Sequence, residues 1–493
     1  MSMLKKKTED LSKNVKSTTI EELVKKILRE KKGVTTQFRP RAATGIPGFD
    51  EITTGGFIRG NTILLAGCPG AGKTTFSAQF LYNGIVEFGD PGVYVSFAET
   101  KKEFFENMKA LGMNFKELTK EGKFRYIELL TVSSKQLLDS FISQILSILD
   151  SMNAKRLVID SITAILSLFS KAEARTFIHS TFMKVCKASD ITSILIADLP
   201  YESKIIGSGV EEFITDSVIV LGFNLGFETF DDPVKRFLGI RKMRGVAISP
   251  QSYEFVISQS GIRVYRPIEP TFLSSIEKVR LSTGIFELDE MLKGGLQKGS
   301  TTLISGPSGT GKTMLAIIFC VTRALKGEKT IFISYEESPA QLECLIEDLG
   351  YKHEEVEDSL NIISPTLQGL TPGVQHEMFR SIYNNFNPTN FVLDGINVLE
   401  RCYKKEEFFE IVRNFALLSK DKQATVVITA LQDLIKSDKA KISTLADNII
   451  ALWFEQEKNE IKRRITILKQ RGATHDNKVK SIEFKKEKII IHD

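Results

Sequence analysis

The sequence predicts an α/β protein with two tandem domains, each built from a mainly parallel sheet flanked by helices. Three observations lead to this prediction: a long stretch of the chain recurs, each copy alternates short apolar runs with helical patterns, and each copy carries the same glycine-rich turn. Alternation of strands and helices favours parallel pairing, because parallel strands need long crossover connections and helices supply them.

The repeat is the strongest organisational feature. Residues 44–74 (TGIPGFDEITTGGFIRGNTILLAGCPGAGKT) align without a gap with residues 283–313 (TGIFELDEMLKGGLQKGSTTLISGPSGTGKT), and about half of the positions match. Further pairs follow in the same order: VYVSFAET with IFISYEES, RLVID with FVLD, and KMRG with KQRG. A common order over such a length indicates a duplicated domain.

The elements of each copy follow from its apolar pattern. ILLAG and TLISG are short apolar runs next to glycines, as expected of buried parallel strands. Each enters the glycine-rich turn and then a helix, TTFSAQFLYNGIV or TMLAIIFCVTRAL. Further strands are predicted at VYVSF, RLVID, SILIAD and VIVLGF, with counterparts at IFISY, FVLD, TVVITAL and IIALWF.

The duplication divides the chain into four parts. They are a basic extension at 1–40, the first domain at 41–266, a linker at 267–278 and the second domain at 279–493. Pro267 and Pro270 interrupt the pattern in the linker. In the extension, Thr19 and Glu22 resemble a capping box and predict a short helix, which either docks on its own domain or serves as a regulatory or partner-binding arm.

Charge and composition narrow the class of protein. Residues 1–41 hold twelve Lys or Arg against five Asp or Glu, a net of +7, so the remainder carries −2 of the total of +5. A body that neutralised many nucleic-acid phosphates would be more basic, so nucleic acid is not an expected partner. No run approaches the ~18 apolar residues of a membrane span. Scattered cysteines without C-x-x-C favour reduced thiols in a cytoplasmic protein.

Both glycine-rich turns satisfy the phosphate-binding pattern G-x-x-x-x-G-K-T, which predicts ATP and Mg²⁺ as ligands. Glycines are needed because backbone N–H groups wrap the phosphates in conformations that a Cβ would obstruct. Lys73 and Lys312 are expected to reach the β- and γ-phosphates, and the hydroxyls of Thr74 and Thr313 to bind Mg²⁺. The predicted ATP-binding residues are Gly67, Gly70, Ala71, Gly72, Lys73 and Thr74, and Gly306, Ser308, Gly309, Thr310, Gly311, Lys312 and Thr313.

Asp160 and Asp394 each end an apolar strand in equivalent positions of the two copies. An acid at the carboxyl end of a buried strand beside a P-loop suits a Walker B role, in which it holds Mg²⁺. The alternative is a helix N-cap, since Asp is common at strand–helix turns. The sequence favours the metal role because both copies have the acid at the same place.

A second acidic position follows the strand that is predicted directly after the P-loop helix of each copy. Glu336 and Glu337 follow IFISY, while Ala98 and Glu99 follow VYVSF. A carboxylate at this edge can orient or deprotonate an attacking oxygen, so Glu99, Glu336 and Glu337 are candidate catalytic residues. A solvated pair at a helix start explains the same residues equally well.

With these residues in hand, the chain resembles the KaiC family of RecA-superfamily ATPases from about residue 44 to residue 484. The resemblance is carried by the duplicated TG-x-x-x-x-DE opening, two Walker A loops, FAE and YEE after a strand, VEEFITD, ISTLAD and the paired K-x-R-G segments. It implies two tandem RecA-like P-loop domains that hydrolyse ATP in signalling or regulation.

The resemblance also implies a double-ring homohexamer with ATP between neighbouring subunits. Lys242 and Arg244, and likewise Lys469 and Arg471, match basic residues that reach the γ-phosphate of a neighbour. Cations supplied in this way would stabilise the transferring phosphoryl group and couple hydrolysis to assembly. Taken alone, each K-x-R-G segment is an exposed hairpin.

In the family, the second domain is an autokinase that phosphorylates an adjacent Ser-Thr pair. Ser443 and Thr444 match that pair, Glu336 matches the general base and Glu337 its neighbour. Without the resemblance, the two hydroxyls are ordinary turn residues.

Two departures from the family pattern carry expectations of their own. Ala98 replaces one acid of the first domain, which predicts weaker hydrolysis there or hydrolysis that rests on Glu99. The sequence also stops at Asp493, where circadian members continue into a tail that receives an activator, so KaiB-like signalling partners fit the chain better than a KaiA-like activator.

Two other functions remain open at this point. A DNA-handling motor of the RecA or DnaB kind shares the fold, but the segments LPYESKIIGSG and QDLIKSDKAKIS, where such motors hold DNA, have few basic or aromatic residues. A nucleotide-gated hexameric scaffold, in which ATP mainly holds the ring together, is compatible with Ala98.

Overall fold

The computed structural model describes residues 40–129, 144–166, 183–199, 206, 212, 215–224, 235–249, 251–266, 279–366, 370–431, 441–457, 460–485 and 488–493. The predicted helix of the extension and the predicted linker lie outside the described residues. Most of VEEFITD and of the two candidate DNA segments lies outside them as well. The predicted domain limits therefore stay a prediction.

The strands and helices of the first domain are named here in chain order, and residues 144–151 are helical as well. They are β1 (Arg41–Ala42), α1 (Phe49–Ile52), β2 (Phe57–Ile58), β3 (Thr62–Gly67), α2 (Lys73–Phe88), β4 (Gly92–Ser96), α3 (Lys101–Ala110), α4 (Phe115–Lys120), β5 (Phe124–Glu128), β6 (Arg156–Asp160), α5 (Ile162–Leu166), α6 (Met183–Ala188), β7 (Thr192–Asp198), β8 (Ser217–Asn224), β9 (Lys235–Met243), β10 (Ser252–Ser258) and β11 (Gly261–Val264).

The second domain repeats this series, with two additional 3₁₀ turns at His353–Glu355 and Lys441–Thr444. Its elements are β12 (Arg280–Leu281), α7 (Phe286–Met291), β13 (Leu296–Gln297), β14 (Thr301–Ser305), α8 (Lys312–Ala324), β15 (Thr330–Ser334), α9 (Pro339–Asp348), β16 (Leu360–Ile363), α10 (Pro372–Phe386), β17 (Asn390–Asp394), α11 (Asn397–Cys402), α12 (Lys405–Asp421), β18 (Thr425–Ala430), β19 (Asn448–Glu457), β20 (Glu460–Gln470), β21 (Lys480–Lys485) and β22 (Lys488–His492).

Each domain is organised around one nine-stranded sheet. The strand order is β11-β10-β9-β8-β3-β7-β6-β4-β5 in the first domain and β22-β21-β20-β19-β14-β18-β17-β15-β16 in the second, which is the same order strand for strand. Six neighbouring strands, from β5 to β8 and from β16 to β19, are parallel. The expected fold class, two tandem RecA-like α/β domains, is confirmed.

The central strands are buried on both faces, as their continuous apolar runs predict. In β3, Ile63 and Leu65 belong to one hydrophobic core while Leu64 and Ala66 belong to another, so the strand separates two cores. In β14, Leu303 and Ile304 divide in the same way. This double burial fixes the register of the strands that carry the nucleotide loops.

Three antiparallel strands extend each sheet beyond its parallel part, and the sequence patterns did not predict them. In the first domain β9, β10 and β11 continue from β8, and in the second β20, β21 and β22 continue from β19. These strands mix polar and apolar residues because part of their surface is exposed. Among the described residues, no helix is long and apolar enough to cross a membrane.

Candidate functional site

The two glycine-rich loops lie at equivalent sheet edges. Each follows the carboxyl end of the central strand, β3 or β14, and leads into the first turn of α2 or α8. Gly72 and Gly311 precede these helices with φ values of 97° and 99°, a left-handed conformation that favours glycine. A Cβ on Gly311 would lie 1.9 Å from Cζ of Phe484, so the loop also needs glycine for space.

The first glycine of each loop is required by the neighbouring strand. A Cβ on Gly67 would lie 2.5 Å from the carbonyl oxygen of Leu221, and one on Gly306 would lie 2.3 Å from that of Leu452. Gly70 and Gly309 are required by the backbone conformation instead, because each has a φ of 78°. Ala71 and Thr310 are buried and Ser308 is exposed. The loops thus have the bare, concave backbone that a polyphosphate would fill.

The two loop lysines point into their own loops. Lys73 Nζ donates to the carbonyl oxygens of Gly67 (2.7 Å) and Cys68 (3.2 Å) and lies 3.3 Å from Oδ1 of Asp198. Lys312 Nζ donates to the carbonyl oxygen of Pro307 at 2.9 Å. Burial lowers the pKa of Lys312. Both ammonium groups can bind phosphate where the helix N-terminus already favours an anion.

The structure brings each predicted metal pair together. Thr74 Oγ1 donates to Oδ2 of Asp160 at 3.0 Å, and Thr313 Oγ1 donates to Oδ1 of Asp394 at 3.1 Å. Burial raises the pKa of both carboxyls, and their hydrogen bonds partly oppose that shift. A hydroxyl and a carboxylate at this spacing fit a magnesium ion that completes its shell with phosphate oxygens and water.

The two candidate Walker B acids are held by different neighbours, which the sequence patterns did not indicate. Tyr94 on β4 donates its hydroxyl to Oδ2 of Asp160 at 2.7 Å. In the second domain Thr429 on β18 donates to Oδ1 of Asp394 at 2.6 Å. Asp160 therefore has two hydroxyl partners and Asp394 has three, since Ser334 Oγ also donates to Oδ2 of Asp394 at 3.4 Å. Tyr94 and Thr429 supply their hydroxyls from different strands.

The candidate catalytic acids follow β4 and β15 and are held there by a serine. Ser334 Oγ accepts the backbone N–H groups of Glu336 (3.3 Å) and Glu337 (3.0 Å). Ser96 Oγ does the same for Ala98 and Glu99. This turn directs the residues after the strand towards the sheet edge that carries the P-loop.

The acids of the second domain crowd around Asp394. A Cβ on Gly395, the residue after Asp394, would lie 2.6 Å from Cγ of Glu336. Oε2 of Glu337 is buried and has no hydrogen-bond partner in the described part of the chain. Burial, followed by the charges of Asp394 and Glu336, raises the pKa of Glu337. In the first domain Asn107 donates to Glu99 at 2.7 Å, and burial again raises the pKa of that acid.

The predicted phosphoacceptors lie at the other edge of the second sheet. Ser443 and Thr444 form a 3₁₀ turn shortly before β19, whose first residue, Asn448, pairs with Thr302 near the start of β14. The P-loop leaves the opposite end of β14. A five-residue strand at about 3.3 Å per residue separates the two edges by about 16 Å.

The predicted trans-acting cations share this second edge. Lys469 Nζ donates to the carbonyl oxygens of Ser443 (3.0 Å) and Ala446 (2.7 Å), and Arg471 donates to that of Thr444 (3.1 Å). Burial lowers the pKa of Lys469. The structure therefore brings the cations and the acceptor pair together and keeps both away from the P-loop of the same domain.

The first domain has the same arrangement. Lys242 Nζ donates to the carbonyl oxygens of Glu212 (3.0 Å) and Thr215 (2.5 Å), while Arg244 pairs with Asp216 at 3.4 Å. Burial lowers the pKa of Lys242. Beside them is a cavity of about 540 Å³ lined by Pro40, Ile58, Arg59, Gly60, Asn61, Lys187, Asp190, Asp216, Arg244 and Gly245.

An aromatic and guanidinium cluster borders the second P-loop, and the sequence patterns did not indicate it. The guanidinium of Arg463 lies 5.8 Å from the ring centre of Phe454 and 5.5 Å from that of Phe484, and its Nε donates to the carbonyl oxygen of Gly309 at 3.1 Å. These residues come from β19, β20 and β21. Only the antiparallel pairing, which the apolar patterns do not reveal, brings them to the loop.

The sequence model of the KaiC ATPase family matches residues 42–269 and again residues 281–493. The circadian clock oscillator protein KaiC of Synechococcus elongatus is 32% identical over 455 residues, which cover 89% of this chain and 86% of that protein. KaiC of Parathermosynechococcus lividus is 32% identical over 469 residues, covering 92% and 86%. The circadian clock protein KaiC2 of Synechocystis sp. is 30% identical over 459 residues, covering 89% and 79%. Because the family matches both repeats and relatives match almost end to end, this ATP-binding chain belongs to the KaiC family of ATPases.

Proposed function

We propose that this KaiC-family ATPase assembles into a homohexameric ring, hydrolyses ATP between neighbouring subunits and phosphorylates Ser443 or Thr444 of an adjacent copy. Such a self-modifying ring acts in signalling or regulation. The observation that carries the proposal is the separation of P-loop and acceptor pair at opposite edges of one sheet.

The separation matters because phosphoryl transfer needs its partners in line at close range. The acceptor pair is about 16 Å of sheet away from the P-loop of its own domain. A second copy, placed head to tail, brings the acceptor edge of one subunit against the P-loop edge of the next. Head-to-tail contacts that close on themselves form rings.

The residues divide the chemistry between the two subunits. Bound ATP supplies a γ-phosphoryl group, whose bond to the bridging oxygen breaks as the acceptor oxygen bonds to phosphorus, with ADP as the leaving group. Glu336 accepts the proton of the attacking hydroxyl. Lys312 and the neighbour's Lys469 and Arg471 neutralise the charge that develops on the transferring group.

Magnesium is proposed at Thr313 and Asp394 in the second domain and at Thr74 and Asp160 in the first. Mg²⁺ commonly keeps several waters and binds one or two carboxylates together with phosphate oxygens. One hydroxyl and one carboxylate per site fit that coordination preference.

A mixing experiment tests the proposal. Lys312→Ala removes the phosphate-binding lysine but keeps the acceptor pair, whereas Ser443→Ala with Thr444→Ala keeps the loop and removes the acceptors. We expect neither variant alone to gain phosphate at 443 or 444 in Mg-ATP. After subunit exchange, isotope-labelled Lys312→Ala chains should carry phosphate, detected by peptide mass spectrometry.

Two results would overturn the proposal in different ways. Phosphate on the parent protein without any transfer in the mixture would mean that the reaction occurs within one chain. Unmodified Ser443 and Thr444 in the parent at every ATP concentration would remove the autokinase activity altogether, leaving ATP hydrolysis to be tested alone.

A scaffold role for the first domain is a second candidate, and Ala98 favours it. The first domain has a complete P-loop and the Thr74–Asp160 pair but lacks the acid that Glu336 provides in the second domain. Such a domain can hold nucleotide, and with it the ring, while turning ATP over slowly. Two results support this division of labour. Lys73→Ala should prevent assembly, and Lys73→Ala rings that are held together by other means should still hydrolyse ATP.

A further inference from the structure

One carboxylate of the first domain reaches into the second. Glu254 on β10 accepts the backbone N–H of Gly373 at 3.1 Å through Oε2, and the side chain of Thr371 also hydrogen-bonds this carboxylate. Its other oxygen, Oε1, is buried and has no hydrogen-bond partner among the described residues. Thr371 and Gly373 form the beginning of α10, so a first-domain acid caps a second-domain helix.

The contact is close and electrostatically favourable. A carboxylate stabilises the N-terminal turn of a helix, where unpaired N–H groups and the helix dipole both attract negative charge. Gly373 has room for no side chain, because a Cβ would lie 2.5 Å from Cδ2 of Tyr265 on the first-domain side. Arg263 and Glu377 add an ion pair at 3.1 Å further along α10.

From the capped turn, contacts lead to the acidic pair of the second domain. Gln375, in the first turn of α10, is fully buried and accepts the hydroxyl of Tyr335 at 3.3 Å. Tyr335 immediately precedes Glu336 and follows Ser334, which holds both Glu336 and Glu337 by their N–H groups. A shift of the first turn of α10 therefore reaches the turn that directs the acids.

The same strand contacts the nucleotide loop of the first domain. Phe255 and Ile257 lie on β10 next to Glu254, and a Cβ on Gly72 would lie 3.7 Å from Phe255 and 2.9 Å from Ile257. Alternate residues of a strand point to opposite faces. β10 thus meets the first P-loop with one face and α10 with the other.

We infer that Glu254 is a positioning residue for the second-domain reaction: through the first turn of α10, Gln375 and Tyr335, it sets the position of the Glu336–Glu337 turn. The inference rests on the proposed role of Glu336 as the base. Because β10 also packs on the first P-loop, Glu254 lies where a change in that loop is passed to the acids.

The duplication supplies matched controls. Glu483 in SIEF of β21 occupies the position that Glu254 occupies in SYEF of β10, yet it is exposed and pairs with Lys485 (3.0 Å) and His492 (3.2 Å) within its own domain. Phe97 occupies the first-domain position of Tyr335, so Tyr335→Phe installs a residue that the same turn already tolerates.

The test is a double-mutant cycle of Glu254→Ala and Tyr335→Phe. It is measured in a Ser443→Ala, Thr444→Ala, Glu99→Gln background, which keeps the first P-loop and the ring but removes the candidate catalytic acid of the first domain, so that hydrolysis by the second domain is the main turnover. We expect each single variant to lower kcat about fivefold with little change in KM, and the double variant to lose little more than either. Glu254→Gln, which keeps a carbonyl acceptor for Gly373, should recover part of the loss, and Glu483→Ala should match the background protein.

Hydrogen exchange distinguishes failure of this inference from failure of the proposed function. In Glu254→Ala, peptides covering residues 371–377 and residues 334–338 should both exchange faster, whether or not the protein phosphorylates itself. Additive effects on kcat, or faster exchange confined to 371–377, would overturn the inference. Absence of phosphate on the parent protein would instead overturn the autokinase proposal and leave this result standing.

Discussion

In the first domain a buried acid, Asp90, pairs with an arginine from a strand, whereas in the second domain the partly exposed acid at the equivalent position, Glu328, pairs with an arginine from a helix. Arg156 on β6 is fully buried, donates to Oδ2 of Asp90 through Nε (3.0 Å) and Nη2 (2.8 Å), and lies over Phe80. In the second domain Arg323 on α8 donates through Nε to Glu328 at 2.9 Å, and Asn390 of β17 donates to the same carboxylate at 2.8 Å.

The two arginines occupy the same space from opposite sides. Gly84 and Arg323 each lie eleven residues after the loop lysine, and Arg156 and Asn390 each begin the strand that ends in the Walker B acid. A Cβ on Gly84 would lie 2.3 Å from Nε of Arg156, so the first domain has room for only one of the two side chains. The comparison teaches that the fold requires a cation beside this acid but not a particular element to supply it.

The largest expected effect comes from removing the first-domain arginine. Arg156→Asn leaves Asp90 buried with only Arg59 as its ion-pair partner among the described residues, and we expect the first domain to lose about 3–5 kcal/mol of stability. Adding Gly84→Arg rebuilds the second-domain arrangement and should recover a large part of the loss. Denaturant unfolding followed by hydrogen exchange of first-domain peptides measures both, and a double variant no more stable than Arg156→Asn would break the comparison.

The next effect concerns the acids after β4 and β15. Glu336→Gln should lower hydrolysis by the second domain about 10²-fold, the usual loss for a general base, with ATP affinity preserved because the P-loop is intact. Turnover in a Glu99→Gln background, which keeps the first P-loop and the ring, measures it. The reciprocal change, Ala98→Glu in a Lys312→Ala background, should raise turnover by the first domain, and a reduction there would argue that the two acid turns are not equivalent.

The smallest effect sharpens the comparison of the Walker B acids. Tyr94→Phe installs the residue found at Phe332 and removes one hydroxyl from Asp160. We expect the Mg²⁺ concentration that gives half-maximal turnover of the first domain to rise about tenfold. Ile196→Thr, which installs the residue found at Thr429, should restore it by supplying a hydroxyl from β7. A magnesium titration in the Lys312→Ala background measures both changes. A response to Ile196→Thr without a response to Tyr94→Phe would contradict the idea that the two hydroxyls can replace each other.

Much of the parallel sheet could be predicted from the sequence because its strands are apolar on both faces and its loops are glycine-rich. Local pattern and the repeat predict β3 and β14 and the helices after them. They also predict that Thr74 lies close to Asp160 and Thr313 close to Asp394. The roles of these residues in binding and catalysis stay predictions.

The rest depended on contacts between distant strands, which local pattern does not encode. Arg463 approaches Gly309 only because β20 pairs antiparallel with β19, and strands with an exposed face give a weak apolar signal. Tyr94 and Thr429 are buried strand positions by pattern, and nothing in their neighbours indicates that they bond an acid. Glu254 looks like its exposed counterpart Glu483 in sequence, and only the docking of α10 separates them.

The exchanged arginines also constrain how the two halves diverged from a common ancestor. A lineage moving from one arrangement to the other one substitution at a time must pass through a domain with both guanidinium groups or with neither. The first intermediate forces two cations into one space, and the second removes the guanidinium beside the acid, which in the first domain leaves Asp90 with Arg59 alone among the described residues. Each half is therefore held in its present arrangement by the cost of either intermediate.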